Sequence, residues 1–191
     1  MGPLALRALV GAYVSGELDR AGFRSGLSEA VRRLSDQSGR AVALVRALAF
    51  ELDSQPPAGT PRQDKVVTGL IHELLEALPL SDAVPQREEI LAVLQQNRSR
   101  LLQDSGLDLI GLAGSIARSK ASAFSDVDVA ARWVGRPGSW DQFGIVEACR
   151  QQLAARLRRP VDLVIVDELK THLRDSFLRD MIALPDTAHA A

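Results

Sequence analysis

Asp126 and Asp128 stand one residue apart in "SDVDVAARWV", where polar and apolar residues alternate as they do along a strand. At i and i+2 of a strand both side chains leave the same face. Two carboxylates so close repel each other unless a proton or a cation lies between them. The natural cation is a hard divalent ion such as Mg²⁺, which takes oxygen ligands. A third acid, Asp162 in "PVDLVIVD", lies in the next β-branched run. If the two strands are neighbours, three carboxylates converge, enough to hold two ions about 3.5–4 Å apart for in-line phosphoryl chemistry.

Upstream lies a second feature, Gly114-Ser115 in "LAGSIAR", with ten residues between Ser115 and Asp126. Gly114 lets the backbone approach a phosphate closely, and the amides at the start of a short helix attract anions. The Ser115 hydroxyl can donate to the same oxygens. Arg118, one turn on, is placed for a terminal phosphate, with Lys120 as a second counter-charge. Metal ligands and phosphate binder then address the two ends of one triphosphate, and the intervening residues are the loop that joins them. The competing reading makes Gly-Ser an ordinary loop and the Asp pair a solvated strand edge. Asp162 and the strand–turn–strand context favour the site.

The surrounding pattern supplies the elements that must hold these residues. "PQREEILAVLQQNRSRLLQDSG" has Pro at the first turn, acids early, Arg late and Gly at the end, all in keeping with helix capping and dipole preferences. "LDLIGLAG" is too short for a helix and reads as a strand. "SWDQFGIVEACRQQLAARL" reads as a helix capped by Ser139, "PVDLVIVD" as a strand, and "ELKTHLRDSFLRDMIAL" as a last helix before Pro185. Residues 86–191 therefore form a small α/β unit.

Residues 1–80 read as helices alone. Leu4, Leu6, Leu9, Val10 and Tyr13 share a stripe with Gly16 as stop. Asp19 caps a second helix that carries Phe23, Leu27, Val31 and Leu34. "SGRAVALVRALAFELDS" and "RQDKVVTGLIHELLEAL" make two more, separated by the linker "SQPPAGTP". The predicted fold class is thus α/β (α+β) preceded by an all-helical segment.

Composition narrows the function classes. The 191 residues are 46% hydrophobic and 25% charged, the balance of a foldable globular chain. The net charge of −1 provides no basic field for extended nucleic acid. Nor does either half: residues 1–85 carry 9 Lys+Arg against 10 Asp+Glu, and residues 86–191 carry 14 against 14. The single Cys149 forbids an intramolecular disulfide and reads as a buried small hydrophobe in a helix. No run approaches the roughly 20 apolar residues of a membrane span, so a cytoplasmic, soluble protein is expected. His72 and His172 lack partners at metal-ligand spacing; His72 reads as a partly exposed helix residue, and His189 lies in a small-residue tail.

Gly114-Ser115, ten residues, Asp126-Val-Asp128, and "VDLV" after one helix together resemble the minimal nucleotidyltransferase (MNT) family of the DNA-polymerase-β-like superfamily. The resemblance spans about residues 86–184 and does not cover residues 1–85. It implies a small mixed-sheet nucleotidyltransferase fold flanked by helices. It also implies transfer of AMP from ATP to an acceptor hydroxyl with release of pyrophosphate. Gly114 and Ser115 would hold the triphosphate, Asp126 and Asp128 would ligate Mg²⁺, and Asp162 would complete the metal site and help activate the acceptor. Many members of the family act as antitoxins that adenylylate a tyrosine of a helical HEPN ribonuclease toxin. One departure is visible: the family has Arg-Gly after the turn, whereas here Arg118 is followed by Ser119. A side chain there restricts the loop if its backbone needs a positive φ.

The primary expectation is therefore a protein adenylyltransferase antitoxin with ATP, Mg²⁺ and a HEPN-type toxin as partners. One alternative is a small-molecule enzyme similar to the aminoglycoside nucleotidyltransferases. Those add a sizeable C-terminal helical domain, whereas here only 29 residues follow Asp162. Another is a binding module that has kept the fold without turnover. A HEPN toxin fused in the same chain is rejected, because neither His72 nor His172 follows an Arg by four to six residues. The N-terminal helices fit a docking platform, a dimerisation unit or a lid, and a homo-oligomer is compatible with the sequence.

Overall fold

The computed structural model describes residues 1–37, 39–54, 61–135 and 139–185, with 61–64 and 139–140 described by their backbone alone. Residues 55–60 of the expected linker and His189 lie outside what is described, and Ser139, expected as a cap, is the first residue of its helix. The chain divides into two compact units. One is Met1–Ala83 together with Ser122–Phe124, and the other runs from Val84 to Ala121 and from Ser125 onward. The segment Ser122–Phe124 falls inside the stretch whose sequence pattern belongs to the α/β unit.

The first unit holds α1 (Pro3–Val14), α2 (Arg20–Arg33), α3 (Arg40–Ser54) and α4 (Pro61–Ala77). α2 starts where the Asp19 carboxylate accepts the Gly22 N–H at 2.8 Å, which satisfies one of the amides a helix start leaves unpaired. Phe23, Leu27 and Ala30 recur at four and three residues and are fully buried with Leu6, Val10, Val45, Leu48 and Leu74. The Tyr13 and Phe23 rings stack at 4.1 Å between centroids. Arg7 donates to the Leu75 and Leu78 carbonyls at the end of α4, at 2.6 and 2.8 Å. There its charge also complements the helix dipole. Leu4 departs from the expected stripe and is exposed. It precedes the buried Leu6 by two residues, about 200° around a helix with 3.6 residues per turn.

The second unit contains α5 (Arg87–Ser105), β1 (Leu107–Leu112), the single turn α6 (Gly114–Ala117), β2 (Val127–Trp133), α7 (Ser139–Leu157), β3 (Val161–Ile165), a 3-10 turn (Val166–Glu168), α8 (Thr171–Arg179) and β4 (Ile182–Ala183). The four strands form one mixed sheet in the order β3-β2-β1-β4. β2 pairs parallel with β3, and β1 runs antiparallel to β2 and β4. The fold class is mixed α/β, as expected. Its core gathers Leu94 of α5, Leu107, Leu109 and Leu112 of β1, Val127 and Val129 of β2, and Leu153 of α7, all fully buried. Cys149 is buried with them, and burial pushes its thiol pKa up, as suits a packing residue.

Two boundaries differ from expectation. α5 begins at Arg87 with Gln86 as its N-cap, so Pro85 lies outside the first turn; Gly106 ends the helix at φ +70°. The last helix stops at Arg179, and Ile182–Ala183 form a strand against Gly111–Leu112. β1 would otherwise end the sheet with unpaired backbone groups, and a β-branched residue suits that edge. A buried ion cluster, not evident from the sequence, ties these pieces together. Arg98 of α5 donates to Asp108 of β1 at 2.7 Å, with both side chains 5% exposed. Arg98 also donates to the Pro185 carbonyl at 2.5 Å, and Arg132 of β2 reaches Asp108 at 3.0 Å. Among the described residues no helix is long and apolar enough to cross a membrane.

Candidate active site

β1 ends at Leu112, and the chain turns through Ala113 and Gly114 back toward β2. The Ala113 N–H donates to the Asp128 carbonyl at 2.8 Å, so the turn is registered on the strand that carries the acids. Gly114 has φ +69°, and a Cβ added there would lie 1.6 Å from Oδ2 of Asp128. Glycine is required twice over, by backbone conformation and by the carboxylate lying against its Cα. The Gly-Ser turn and β2, which carries Asp128, are therefore in direct contact.

Asp162 of β3 is the register partner of Asp128 in the parallel β2–β3 pair. Cross-strand partners present their side chains on the same face. The electrostatics agree with that placement. The Asp128 carboxyl is pushed up to about 6, first by burial, then by the negative charges of Asp126 and Asp162, while Arg118 pulls it the other way. Asp126 and Asp162 thus lie near enough to Asp128 for their charges to act on it. Among the described residues, no three acidic, His or Cys side chains stand close enough to enclose a metal by themselves. An open set of hard oxygen donors still fits Mg²⁺, which keeps several waters and takes its remaining ligands from substrate phosphates.

The other expected residues divide. The Ser115 hydroxyl donates to the Ser125 hydroxyl at 3.2 Å. Arg118 is near enough to act on Asp128, but its guanidinium pairs with Asp180 at the end of α8, at 3.6 Å, with both side chains half exposed. The Lys120 backbone N–H donates to the Ser115 carbonyl at 2.8 Å and so closes the turn. Its side chain is exposed and is not among the charges that shift Asp128. α6 is one turn long, too short for an appreciable macrodipole, so its anion affinity reduces to individual first-turn N–H groups.

Three residues of the site do not stand out in the sequence. Ser125 is buried, and its carbonyl accepts from the buried Arg159 at 3.3 Å. Burial lowers the Arg159 pKa. Asp180 is the partner of Arg118. The adjacency of Ser125 to Asp126 is the available signal for the first. Arg159 and Asp180 have none, since their role depends on the turn into β3 and on where α8 ends.

Ser119 adopts φ +56°, the left-handed region where a side chain costs roughly 1–2 kcal/mol. Ser119 therefore occupies a position where the backbone favours glycine. Ser119→Gly is expected to stabilise the protein by about 0.5–1 kcal/mol, after the glycine's greater unfolded-state entropy is deducted. The melting temperature should rise by about 2 °C; an unchanged or lowered value would show that the Ser119 contact with Arg87, at 3.4 Å, outweighs the strain.

No protein-family model and no curated protein matches the chain. Among solved structures, a protein designated a minimal nucleotidyltransferase is similar at 24% identity and a TM-score of 0.41, over 51% of this chain and 95% of that one. A chain of the toxin–antitoxin MntA–HepT crystal structure is similar at 24% identity and a TM-score of 0.35, over 50% of this chain and 73% of its own. A chain of the complex between tri-AMPylated Shewanella oneidensis HEPN toxin and MNT antitoxin is similar at 24% identity and a TM-score of 0.35, over 51% and 73%. The chain is thus similar to these structures over about half its length, while the acid cluster and the Gly114 contact stand on its own geometry.

Proposed function

We propose that the chain is a nucleotidyltransferase that transfers AMP from ATP to a tyrosine hydroxyl of a partner protein, as the antitoxin beside a HEPN-type toxin. The observation that supports the chemistry is the Asp128 carboxylate, which lies against Gly114, is the register partner of Asp162 and feels the charges of Asp126 and Asp162. The partner rests on the family resemblance of residues 86–184. Asp126 and Asp128 would hold Mg²⁺, with Asp162 completing the site; when bound, the ion neutralises phosphate charge and orients the triphosphate. Gly114 lets the turn's backbone approach the phosphates, and Ser115 donates to them. Arg118 exchanges Asp180 for a phosphate oxygen. Because this ion pair is half exposed, exchanging it costs little.

In the transfer step the acceptor oxygen bonds to the α-phosphorus, and the bond from that phosphorus to the α,β-bridging oxygen breaks. Pyrophosphate leaves with the bond's electron pair. The acceptor's proton passes to the Asp162 carboxylate, which is exposed on β3 and so open to an incoming hydroxyl.

Incubation with ATP labelled at the α-phosphate is expected to label a HEPN-type partner, with loss of label when the metal is chelated. Retained nucleotide binding with no labelled protein and no pyrophosphate release would reduce the chain to a binding module. Pyrophosphate release with small hydroxylated acceptors alone would identify the small-molecule enzyme instead.

A further inference from the structure

Asp126 stands one residue before β2 begins at Val127, where the place of its side chain depends on what holds its two neighbours. Both neighbours are held by the turn that leads into β3. The buried Arg159 guanidinium donates to the Ser125 carbonyl at 3.3 Å, and the Val127 N–H donates to the Pro160 carbonyl at 3.0 Å. Consecutive Cα atoms are about 3.8 Å apart, so two fixed neighbours leave the Cα between them little room. Arg159 and Pro160 therefore clamp Asp126 from both sides, and the same chain presents Asp162 three residues after Arg159. The Ser115 hydroxyl donates to the Ser125 hydroxyl at 3.2 Å, which ties the Gly-Ser turn to the clamp as well. All of these residues belong to the α/β unit.

The turn is shaped to deliver that guanidinium. α7 ends at Leu157, Arg158 takes φ +52°, and the Arg159 N–H returns to the Ala154 carbonyl at 3.3 Å. This is the long bond of a Schellman ending, with its left-handed residue at Arg158. Glycine is the usual residue there, and a side chain costs roughly 1–2 kcal/mol. The next position, where such endings commonly pack an apolar side chain against the helix, holds Arg159 at 6% exposed. Burying a guanidinium costs free energy that an apolar side chain would not, so packing alone gives no reason for it. Nor is its charge one of those that shift Asp128, which are Asp126, Asp162 and Arg118. Arg159 acts on the backbone beside the acids.

We propose that Arg159 is a positioning residue which, together with the Pro160 carbonyl, sets the place of Asp126 relative to β3 and, through Ser125, that of the Ser115 hydroxyl. For the reaction, the inference rests on the proposed nucleotidyl transfer. For the geometry it does not, and the two are separable by experiment.

The test uses the full chain with Arg159→Met, Arg159→Lys and Leu101→Ala, the last removing a buried side chain of the same unit's core that takes no part in these bonds. Mn²⁺, used alone as a probe of the acids, is expected to bind about tenfold more weakly to Arg159→Met. Hydrogen exchange of the Asp126 and Val127 amides should accelerate about tenfold in the same variant, while β1 keeps its protection. Arg159→Lys, which retains a cationic donor, should recover most of both losses. Leu101→Ala, with a melting temperature lowered at least as far, should leave both near wild type. If Arg159→Met does not fold, Arg159→Gln, whose shorter arm cannot span the gap, takes its place in the comparison. Unchanged Mn²⁺ affinity and exchange in Arg159→Met would overturn the inference. Equal changes in Leu101→Ala would overturn it too, because general loosening would then explain them, and so would an Arg159→Lys no better than Arg159→Met. Should the wild type transfer no AMP while Arg159→Met still weakens Mn²⁺ binding, the positioning role stands and the catalytic reading falls. With transfer established, kcat/KM for ATP is expected to drop about 100-fold in Arg159→Met and to stay within about threefold of wild type in Leu101→Ala.

Discussion

Gly114→Ala is expected to lower nucleotidyl transfer at least ~100-fold while the helical unit and the sheet stay folded. Two costs coincide at this residue. Alanine at φ +69° loses roughly 1–2 kcal/mol to the left-handed backbone. Its methyl carbon would also lie 1.6 Å from Oδ2 of Asp128, less than half an ordinary non-bonded separation. Either the Asp128 carboxylate swings away or the turn lifts off β2, and a misplacement of about 1 Å suffices for a ~100-fold loss. Initial rates of pyrophosphate release measure the effect, and circular dichroism checks the fold. Gly144, by contrast, has open space around the corresponding position, so Gly144→Ala is the control. If Gly114→Ala kept its rate within about threefold, the contact between turn and carboxylate would have no part in the reaction.

The second large effect separates activity from stability at Asp128. Asp128→Asn is expected to reduce the proposed transfer by about 10³ or more, since losing a carboxylate that would hold Mg²⁺ removes several kcal/mol of charge stabilisation. The same change should stabilise the metal-free protein. The Asp128 carboxyl titrates at about 6 in the folded chain against an ordinary 3.8. A raised acid favours the folded state while protonated, so its contribution is complete below about pH 4 and is lost as the pH climbs through 6. Above that, the half-buried Asp128 carboxylate faces the charges of Asp126 and Asp162, and Asn removes the worst-placed charge. The expected gain is about 1–3 kcal/mol at pH 7–8, a range that allows for Asp128's residual exposure, and it vanishes near pH 4. Adding Mg²⁺ should reverse the order, raising the melting temperature of the wild type but not of the variant. At pH 5 the wild type should bind the ion about tenfold more weakly than at pH 7, because one proton must leave first. Thermal melts at pH 4, 6 and 8, with and without the ion, give the comparison; a variant less stable than wild type at pH 8 without metal would refute the proposed repulsion.

The coincidence of these effects in one small region is what makes a catalytic reading of the site physically economical. A structural strand gains nothing from holding a carboxyl well above its ordinary pKa, whereas a site that must receive a cation gains affinity for it from the same repulsion, which the cation relieves. Arg118 illustrates the balance. It eases the charge on Asp128 while resting on Asp180, so a guanidinium stands ready at the site.

How legible each feature is depends on the distance over which it is encoded. The Asp19 cap, the α2 stripe of Phe23 and Leu27, and the glycine after α5 are short-range patterns, and they hold. So is the Gly-Ser turn after β1, whereas Asp126, expected on the strand, stands one residue before β2 begins at Val127. The end of the last helix is not encoded locally, because Ile182–Ala183 is a strand only by virtue of the β1 edge it covers. Arg118 reads in sequence as a phosphate ligand and nothing else, since Asp180 lies 62 residues on and no local rule joins them.

By itself the sequence determined the chemical inventory: which acids exist, which two stand one residue apart, where a glycine lets the backbone approach an anion, and that Ser119 follows Arg118. Only the tertiary structure decided that Asp162 lies beside Asp128, since a strand pairing across a whole helix depends on β2–β3 register, a one-residue slip of which would turn the third acid to the opposite face. It alone decided, too, that Phe124 leaves its neighbours to join the core of the N-terminal helices. Local preference names the side chains, but burial assigns them their partners, because the hydrophobic effect is non-directional and rewards apolar area removed from water whatever the separation along the chain.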